Sequence, residues 1–483
     1  MRLNFPFIYG TIIVDIVLSQ KIKGRGKIMS NISAIILAAG SGTRMKSSKA
    51  KVVHKVCGKP MINWVYSQAE KICTDKIITV VGNRREQVIS TLGEDKEYAV
   101  QRQQLGTGHA AAVALEKIPD GGVVIVLCGD APLITEETLK AAADFHIKSR
   151  CAATVITADI DDPKGYGRIL RSESGSVLGI VEEKDASPAQ RKIKEINSGS
   201  YCFDTALLRA VISNLSNENA AGEYYLTDTL AILLENGYEV GAFKIPDINE
   251  LMGINNMVQL SQAERVMRKR INEAHMLSGV TIIDPENTYI GADVKIGADT
   301  TVLPGSIIGE GCVIGSGCII GPNANLKDCE IGDGSEINAS TVVSSKVGKN
   351  VAMGPYAYVR PNCVIADKVK VGDFVEVKNS TVGEGTKIAH LTYVGDSDVG
   401  SGVNFGCGTV TVNYDSKKKH RTTIKDGAFI GCNTNLVAPV TVGEGAYTAA
   451  GSTITEDVPG DALAIARSRQ TVKEKWRTKK YGE

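Results

Sequence analysis

The sequence has almost no excess of charge and few aromatic residues. Its 55 Lys and Arg residues nearly cancel 54 Asp and Glu residues, so the formal net charge of +1 favours neither a nucleic acid nor a membrane surface as a partner. Aromatic residues make up only 5% of the chain, whereas 50 of the 483 residues are glycine. This imbalance indicates a fold with many tight corners, and the length predicts two or three domains.

The eleven cysteines include no CxxC pair, and their odd number argues against a complete set of disulfides. The same lack of paired spacing disfavours a zinc site. In a long chain without a recognisable signal peptide, scattered cysteines are typical of reduced thiols. We therefore expect a cytoplasmic protein.

Residues 1–28 contain an apolar stretch that is too short to span a membrane and is interrupted by Asp15. They also lack a small-residue cleavage signal. The purine-rich codons of a ribosome-binding site would encode the Lys, Gly and Arg residues of KGRGKI, just before Met29. We expect residues 1–28 to be a dispensable or non-native extension, and a membrane tether is the alternative interpretation.

From Ser33 to about Asn256, apolar stretches of strand length alternate with helical stretches. SAIILAAG, KIITVVG, GGVVIVLCGD and AATVITA suit strands that are buried on both faces of a sheet. KPMINWVYSQAEKI and TGHAAAVALEKI have the pattern of helices. This alternation predicts a doubly wound, Rossmann-like α/β domain over residues 29–256.

Residues 257–278 are predicted to form one amphipathic helix that links two domains. Apolar side chains recur at a spacing of three to four residues, which is the helical period. These residues are Val258, Ala263, Val266, Met267 and Ile271.

Residues 279–483 follow a different pattern, in which aliphatic residues recur every six positions. The recurring residues are Ile290, Ile296, Val302, Ile308, Ile314 and Ile320, and, after a slip near Leu326, Val359, Ile365, Val371 and Val377. A period of six fits neither a helix nor a simple strand, but it is typical of a parallel β-helix of hexapeptide repeats with roughly nine coils. We expect the aliphatic side chains to point inward and glycine and small residues to occupy the corners.

The stretch IILAAGSGTRM joins a buried strand to a glycine-rich loop. Gly40 and Gly42 let the backbone approach an anion, and Arg44 and Lys51 supply positive charge, which together favour a nucleotide phosphate. The motif GxxxxGK[ST] is absent, and GxGxxG fails because Met45 occupies the sixth position. Taken alone, the loop could equally be a tight strand-to-helix turn.

Asp130 ends another buried strand, in LCGDAPLI, where a carboxylate beside a polyphosphate is well placed to bind Mg²⁺. Its structural alternative is an Asp that caps a helix or a turn.

The motifs around these residues resemble a known family when they are taken in order. LAAGSGTRM and AKVVHKVCGKPMI resemble the opening signature of sugar-1-phosphate nucleotidyltransferases, and QRQQLGTGHA, GYGRI, IVEEKDA, EINSG, GEYYLTD and GINN follow in the order typical of that family. Together with the β-helix, the chain from about 29 to 470 resembles the bacterial bifunctional N-acetylglucosamine-1-phosphate uridylyltransferases/glucosamine-1-phosphate N-acetyltransferases. Ala50 and Val53 depart from the usual proline and leucine.

The resemblance implies a left-handed β-helix, a cytoplasmic homotrimer without nucleic-acid or membrane partners, and a product used for peptidoglycan and lipopolysaccharide.

In the first domain the resemblance implies that N-acetylglucosamine 1-phosphate attacks the α-phosphorus of UTP and releases pyrophosphate, with Mg²⁺ bound. Charge neutralisation and positioning dominate such a reaction. The implied nucleotide and sugar ligands are Leu37, Ala38, Ala39, Gly40, Arg44, Lys51, Gln101, Gly106, Thr107, Gly167, Glu182, Asn197 and Asn255, with Asp130 and Asn255 as metal ligands.

In the β-helix, polar residues that interrupt the repeat indicate a second site. Acetyl transfer from acetyl-CoA to the amine of glucosamine 1-phosphate needs a base, which a neutral imidazole can supply. A lone His is more often structural, but His390 lies in HLTY, which resembles the acetyltransferase motif and makes this residue the expected base. Arg360 and Lys378 are 18 residues apart, so we expect them to stack on one face.

The resemblance implies the remaining acetyl-transfer residues. The expected acceptor ligands are Arg360, Lys378, Tyr393, Asn404 and Lys419, and the expected acetyl-CoA contacts are Cys407, Asn413, Tyr414, Cys432, Ala450 and Arg467. Cys407 and Cys432 depart from the usual alanine and serine. The basic tail RSRQTVKEKWRTKK is either solvated or in contact with coenzyme phosphates or a neighbouring subunit.

Three other functions are compatible with parts of the sequence. A sugar-1-phosphate adenylyltransferase with a regulatory β-helix would not need the HLTY and NYD motifs. A β-helix carbonic anhydrase needs several histidine ligands, but only His390 and His420 of the six histidines lie in the repeats. A non-catalytic scaffold would leave Lys51, Asp130 and His390 without a role.

Overall fold

The computed structural model describes residues 31–482, so the expected extension at 1–28 lies outside the described residues. The chain forms two compact units. The first contains the chain up to Lys55 and Pro60–Ala263, and the second contains Val56–Lys59 and the chain from Glu264 onward. Across residues 31–482, no helix combines the length and apolar character needed to cross a bilayer.

The strands in this part of the chain are β1 Ile32–Leu37, β2 Lys55–Val56, β3 Lys59–Pro60, β4 Ile77–Val81, β5 Glu97–Val100, β6 Val123–Cys128, β7 Ala153–Asp159, β8 Gly167–Arg171, β9 Val177–Val181, β10 Glu195–Asp204 and β11 Val240–Lys244. Strands β2 and β3 pair with each other, and the other nine form the sheet of the first unit within the described residues, in the order β11-β7-β10-β6-β1-β4-β5, with β8 and β9 joined through β10. The helices along the chain are α1 Met61–Ile72, α2 Arg85–Leu92, α3 Thr107–Leu115, α4 Glu136–Ser149, α5 Thr205–Val211, α6 Asp228–Glu235, α7 Met257–Leu277 and α8 Trp476–Tyr481. The four predicted apolar strands are β1, β4, β6 and β7, and both predicted helices form.

Both faces of this sheet are covered, as the continuous apolar strands predict. Ile35 of β1 packs into one hydrophobic cluster, whereas its neighbours Ala34 and Ile36 pack into the other. The pleat sends alternate side chains to opposite faces, so each strand must be apolar throughout. The predicted doubly wound α/β architecture is confirmed.

Strand β10 runs antiparallel to both of its neighbours, β6 and β7, within an otherwise parallel core. The pairing is irregular between Asn197 and Tyr201. The beginning of β10 also pairs with β8, so that Asn197 faces Gly167. The alternation of helices and strands did not predict this reversal, because an antiparallel strand has the same apolar composition as a parallel one when both of its faces are buried.

Helix α7 occupies almost the whole of the predicted linker. Ala263 and Met267 are buried, but Val258 is 69% exposed, so the prediction that it belongs to the apolar stripe was wrong. The sequence pattern also missed Asn272, whose buried side-chain amide donates to the carbonyls of Pro285 and Thr288 at 2.8 and 3.1 Å. These bonds fix the end of the helix to the first coil.

The second unit is a parallel β-helix with three sheets, which contain eleven, ten and nine strands within the described residues, against roughly nine predicted coils. The first sheet contains Thr281–Ile282, Thr301–Val302, Ile319–Ile320, Glu336–Ile337, Ala352–Met353, Lys370–Asp373, Lys387–His390, Asn404–Phe405, Phe429–Ile430, Tyr447–Thr448 and Leu463–Ala464. The second contains Tyr289–Ile290, Ile307–Ile308, Asn325–Lys327, Thr341–Val343, Tyr358–Val359, Glu376–Lys378, Tyr393–Gly395, Val410–Val412, Asn435–Val437 and Thr453–Ile454. The third contains Lys295–Ile296, Val313–Ile314, Glu330–Ile331, Lys346–Val347, Val364–Ile365, Thr381–Val382, Ser397–Val399, Thr422–Ile424 and Val440–Val442.

The inward-facing residues of the β-helix are the predicted aliphatic residues. All of them are buried except Ile296, which is partly exposed and still packs against the core. Beyond Leu326 the next inward-facing aliphatic residue is Ile331, five positions on, followed by Ile337. The slip in the sequence pattern is therefore a face that is one residue shorter.

The corners are less restricted to glycine than expected. Tyr356, Phe374 and Leu391 have positive φ angles of 61°, 55° and 46°, a left-handed conformation that costs a non-glycine residue about 1–2 kcal/mol. The backbone N–H groups of Tyr356 and Leu391 donate to carbonyls of the preceding coil at 3.0 Å. The rings of Tyr356 and Phe374 stack with centroids 5.4 Å apart. Hydrogen bonding between coils and ring stacking offset the conformational cost.

A buried histidine on α4 predicts that acid destabilises the first unit. His146 is 3% exposed, its Nδ1 lies 2.9 Å from Thr154 Oγ1, and burial lowers its pKa from 6.5 to about 4. On acidification, His146 binds a proton in the unfolded chain before it does so in the folded chain. The free energy of unfolding therefore falls as the pH drops from 6.5 to 4, by about 3 kcal/mol at the lower limit. The free energy of unfolding, measured with denaturant across this range, should depend less on pH in His146→Gln than in the wild type. The same pH dependence in both proteins would contradict the assignment of this effect to His146.

Candidate active sites

The loop after β1 is shaped by a glycine and braced by α2. Gly42 has a φ of 62°, and a Cβ there would lie 2.8 Å from Lys51 Cβ, so a side chain would clash as well as strain the turn. Arg84 Nη1 donates to the carbonyls of Ser47 and Lys49 at 2.9 and 2.7 Å. The segment from Leu37 to Gly40, which carries the predicted nucleotide contacts, therefore leads into a fixed loop.

Ala50, which replaces the usual proline, contributes a hydrogen bond that proline cannot make. Its backbone N–H donates to Gln87 Oε1 at 2.7 Å, and Gln87 Nε2 donates to the carbonyl of Ser48 at 3.3 Å. Proline has no N–H group. The hydrogen bond from Ala50 therefore ties the loop to α2 and compensates for the lost rigidity of the proline ring.

Two cations and two oxygen ligands converge beside this loop. Lys51 Nζ donates to Asp130 Oδ2, and also to Asn255 Oδ1 at 3.0 Å. Arg44 Nη2 donates to the same Asn255 oxygen at 2.9 Å. The Asp130 carbonyl accepts from the backbone N–H of Ile254 at 3.0 Å, which positions Asn255. The fold thus brings together four predicted residues from three distant segments of the chain.

Gln101, Gly106 and Thr107 lie together around the start of α3. Gln101 Nε2 donates to the Gly106 carbonyl at 3.0 Å, and Thr107 Oγ1 accepts from the backbone N–H of Leu226 at 3.1 Å. Gly106 has a φ of 108°, and a Cβ there would come within 2.5 Å of the Tyr224 carbonyl oxygen. Only glycine fits this position.

The three predicted sugar ligands also meet. A Cβ on Gly167 would lie 3.4 Å from both Asn197 Cβ and Glu182 Oε1, so the missing side chain opens space between them. Burial raises the pKa of Glu182, and a hydrogen bond from Thr227 partly offsets this. Burial, and then the charge of Asp130, raise the pKa of Tyr166. Sequence reasoning missed Thr227 and Tyr166, since neither stands out in its motif.

In the β-helix, His390 is held by a carboxylate from the preceding coil. Asp373 is its register partner, and His390 Nδ1 lies 2.6 Å from Asp373 Oδ1. The hydrogen bond from His390 lowers the pKa of Asp373 below its ordinary value. A carboxylate accepts, so Nδ1 carries the proton and Nε2 is the basic nitrogen. The imidazole is 57% exposed, which leaves it accessible to an acceptor amine.

The predicted cations lie along the neighbouring sheet. Tyr358 and Val359 pair with Glu376 and Val377, so Arg360 and Lys378 stack one coil apart as expected. Arg360 Nη1 is 2.9 Å from Glu376 Oε1. Interaction with Lys378, whose ammonium group carries the same charge, lowers the pKa of Lys419, so two ammonium groups lie close together.

A buried carboxylate that the sequence did not reveal supports these cations. Asp396 is 4% exposed, accepts hydrogen bonds from Asn379 and Asn413, and lies 3.8 Å from Lys378 Nζ. Burial alone would raise its pKa, but the two amides and the nearby lysines bring it below the ordinary value. Asn413 Nδ2 also donates to the Tyr393 hydroxyl at 3.3 Å. Asp396 therefore connects the cations to two predicted ligands.

The coil after Asn404 contains a hairpin that carries other predicted residues. Asn404 pairs with Phe429, which is an offset of 25 residues instead of the usual 16 to 18. The extra residues form an exposed hairpin in which Tyr414 pairs with Lys419. The insertion extends these side chains beyond the regular coil.

One corner of the β-helix presents five register-equivalent residues on successive coils, and we call this set the corner column. The strands on both sides of this corner pair with those of the next coil, and these pairings fix which corner residues are equivalent from one coil to the next. The corner column consists of Asp373, His390, Cys407, Cys432 and Ala450. Arg467 approaches its end, with Cδ 3.7 Å from a Cβ placed on Gly451. The four predicted coenzyme contacts Cys407, Cys432, Ala450 and Arg467 are thus aligned with His390.

Comparison with known proteins gives a consistent result. The family model described as nucleotidyl transferase matches residues 33–248, and that described as bacterial transferase hexapeptide (six repeats) matches 287–322, 312–345 and 421–456. A "Bifunctional protein GlmU" from Geobacillus sp. (strain WCH70) is 54% identical over 444 residues, which cover 92% of this chain and 97% of the relative. Proteins of the same name from Caldanaerobacter subterraneus subsp. tengcongensis and Clostridioides difficile (strain 630) are 55% and 53% identical, each covering 93% of this chain and 98% of the relative.

The chain belongs to the bifunctional GlmU family. It is a bifunctional enzyme that makes UDP-N-acetylglucosamine. The β-helix, of the left-handed hexapeptide type, transfers acetyl from acetyl-CoA to glucosamine 1-phosphate, and the nucleotidyltransferase unit then transfers uridylyl from UTP. The alternatives of an adenylyltransferase, a carbonic anhydrase and a scaffold are excluded.

Within this GlmU-family chain, the position of Asp373 could have been predicted. It precedes His390 by 17 residues, close to the spacing that relates Arg360 to Lys378. The regular coils contain 16 to 18 residues, so the register partner of His390 on the preceding coil could lie at any of three positions. Asp396 offered no such signal, because its role depends on a turn with φ of 49°.

Proposed function

We propose that acetyl transfer occurs at the corner column, with His390 as the general base. The observation that supports this most directly is the hydrogen bond between His390 and Asp373. Nε2 of His390 takes the proton from the glucosamine amine as the nitrogen attacks the thioester. Asp373 keeps Nδ1 protonated and stabilises the imidazolium that forms.

Arg360, Lys378 and Lys419 bind the phosphate of glucosamine 1-phosphate in this proposal. Lys378 and Lys419 are close enough to lower the pKa of Lys419. Such repulsion is relieved when an anion lies between two ammonium groups. Tyr393 and Asn404 bind the sugar, and acetyl-CoA contacts the hairpin and the corner column. The proposed coenzyme contacts are Cys407, Asn413, Tyr414, Cys432, Ala450 and Arg467.

The uridylyltransferase site is proposed to neutralise charge between two anionic substrates. Arg44 and Lys51 bind phosphate groups of UTP, and the backbone of residues 37–40 with Gln101, Gly106 and Thr107 binds the nucleotide. Gly167, Glu182 and Asn197 bind N-acetylglucosamine 1-phosphate. The burial that raises the pKa of Glu182 also makes it a strong hydrogen-bond partner for sugar hydroxyls.

Asp130 and Asn255 fit a magnesium site. Their side-chain oxygens both contact Lys51 Nζ, so they face one point and offer only oxygen ligands. Mg²⁺ prefers oxygen and is commonly held by one or two protein ligands together with substrate phosphates. When bound, the ion would supply charge neutralisation at the phosphates. Lys51 must then transfer its hydrogen bonds from these oxygens to phosphate.

We further propose a cytoplasmic homotrimer that supplies precursor for peptidoglycan and other envelope polymers. The flanks of the β-helix carry exposed apolar side chains, including Ile307, Val313 and Val364. Such surfaces are typical of protein interfaces. Light scattering of the purified chain should give three times the monomer mass.

Replacing Arg360 with alanine tests the acceptor site. The contact exists in both the ground state and the transition state, so the variant should raise KM for glucosamine 1-phosphate by roughly 10–100-fold, which corresponds to a charged hydrogen bond of about 1.5–3 kcal/mol. The value of kcat should change little. Initial rates of acetyl transfer at varied glucosamine 1-phosphate measure both constants.

Lys346→Ala is the matched control for this experiment. Lys346 is an exposed β-helix cation that pairs with Glu330, just as Arg360 pairs with Glu376. This variant should keep the normal KM. An unchanged KM in Arg360→Ala would remove Arg360 from the acceptor site.

A further inference from the structure

Cys407 and Cys432 are adjacent members of the corner column, and both are free thiols. Cys432 is exposed and Cys407 is partly exposed. Asn433 donates its backbone N–H to the Cys407 carbonyl at 2.7 Å, so the two coils are in direct hydrogen-bond contact at this point. Parallel strands lie about 4.8 Å apart, which is within the range of about 4.4–6.8 Å between Cα atoms in disulfides.

A second pair in the same β-helix shows how close cysteines on successive coils can come. Cys312 and Cys329 precede the paired residues Val313 and Glu330, and their sulfur atoms lie 3.7 Å apart. Both are buried in the core. The stacking of coils can therefore bring two thiols close together. Cys312 and Cys329 are buried, whereas Cys407 and Cys432 are accessible to solvent.

We propose that Cys407 and Cys432 form a redox-active dithiol that reacts with low-molecular-weight disulfides and, when oxidised, blocks acetyl-CoA binding. The second part rests on the proposed position of acetyl-CoA. Both residues are proposed coenzyme contacts, so a bond between their sulfurs changes the surface that the coenzyme meets. Accessible thiols beside a partner cysteine are typical of redox-sensitive sites.

The reaction is a thiol–disulfide exchange in two steps. One cysteine thiolate attacks a disulfide RSSR, forms a protein–SR mixed disulfide and releases one RS⁻. The second cysteine then attacks the protein sulfur of that bond, closes the Cys407–Cys432 disulfide and releases the second RS⁻. Two electrons pass from the protein thiols to RSSR, and the two thiol protons end on the two released RSH molecules.

The test uses the full chain and glutathione disulfide as the probe. After treatment, peptide mass spectrometry should show a Cys407–Cys432 disulfide. Acetyl transfer, followed by loss of thioester absorbance, should fall roughly tenfold or more, which corresponds to about 1.4 kcal/mol of coenzyme binding per factor of ten. Dithiothreitol should restore it, acetyl-CoA should slow the oxidation, and uridylyl transfer should not change.

Single variants distinguish the two steps of the exchange. Cys407→Ser and Cys432→Ser should each retain a glutathione adduct on the remaining cysteine, whereas the wild type should end as the internal disulfide without an adduct. Each variant is compared with its own reduced form. Cys312 and Cys329 should stay reduced throughout, because both are buried, and they serve as the internal control.

Two results would overturn the proposal. The first is the absence of a Cys407–Cys432 disulfide when the partly exposed Cys151 has been modified, since the probe was then active. The second is a disulfide that forms without any loss of acetyl transfer. That result is distinct from a failure of the proposed acetyl-transfer mechanism, which is measured separately with His390→Ala.

Discussion

Replacing Asp130 with alanine should lower uridylyl transfer by roughly 10²–10³-fold and leave acetyl transfer at its normal rate. The carboxylate is a proposed magnesium ligand, and losing the charge neutralisation of a bound metal costs several kcal/mol, at about 1.4 kcal/mol per factor of ten. The variant also leaves Lys51 without its carboxylate partner. Pyrophosphate release from UTP and N-acetylglucosamine 1-phosphate measures the first activity, and release of coenzyme A measures the second.

Two causes of a lower rate in variants at Asp130, namely a local loss of structure and the loss of the metal ligand, can be distinguished. The Asp130 carbonyl, which accepts from the Ile254 N–H at 3.0 Å, remains in any variant at this position. Asp130→Asn keeps one oxygen and should therefore need more Mg²⁺ for half-maximal activity. Binding of Mn²⁺, followed by electron paramagnetic resonance in the presence of UTP, should weaken in both variants. A normal rate or normal Mn²⁺ binding in Asp130→Ala would end the metal assignment.

The fold was predictable wherever side-chain periodicity has one structural interpretation. A repeat of six with residues such as Ile308 and Ile314 at fixed positions allows only a coil whose inward positions stack. The direction of β10 was not predictable, because buried parallel and antiparallel strands share the same apolar pattern. The left-handed corners at Tyr356 and Phe374 were also hidden, since ring stacking and hydrogen bonding between coils offset a local conformational cost.

The residues of the candidate sites were likewise predictable only in part. Arg44, Lys51 and Asp130 were identified because loops at the carboxyl ends of parallel strands meet at one edge of a sheet. Asp373 was not identified, because a shift of one residue in coil length decides which side chains become neighbours. Asp396 was not identified, because its role depends on a turn with φ of 49°. A motif reveals residues within one segment, whereas supporting residues from other segments depend on register.

Replacing His390 with alanine should reduce acetyl transfer by roughly 10²–10⁴-fold, the usual contribution of a general base. The imidazole is expected to accept the proton of the amine only as the nitrogen attacks, so acetyl-CoA binding should be nearly unchanged. Single-turnover rates with saturating glucosamine 1-phosphate measure the loss, and equilibrium titration of the coenzyme measures binding. Uridylyl transfer should be normal, because its proposed residues all lie in the other unit.

The carboxylate on the preceding coil gives this prediction a second, independent readout. Asp373→Asn removes the charge that faces Nδ1 at 2.6 Å but keeps the size of the side chain. It should lower kcat for acetyl transfer and leave KM for glucosamine 1-phosphate unchanged, because Asp373 acts through the imidazole and contacts no substrate. The combination of His390→Ala and Asp373→Asn should be no slower than His390→Ala alone, because a carboxylate without its imidazole has no further effect on the base. Near-normal acetyl transfer in His390→Ala would leave His390 a structural residue, and an additive loss in the double variant would give Asp373 a role outside the pair.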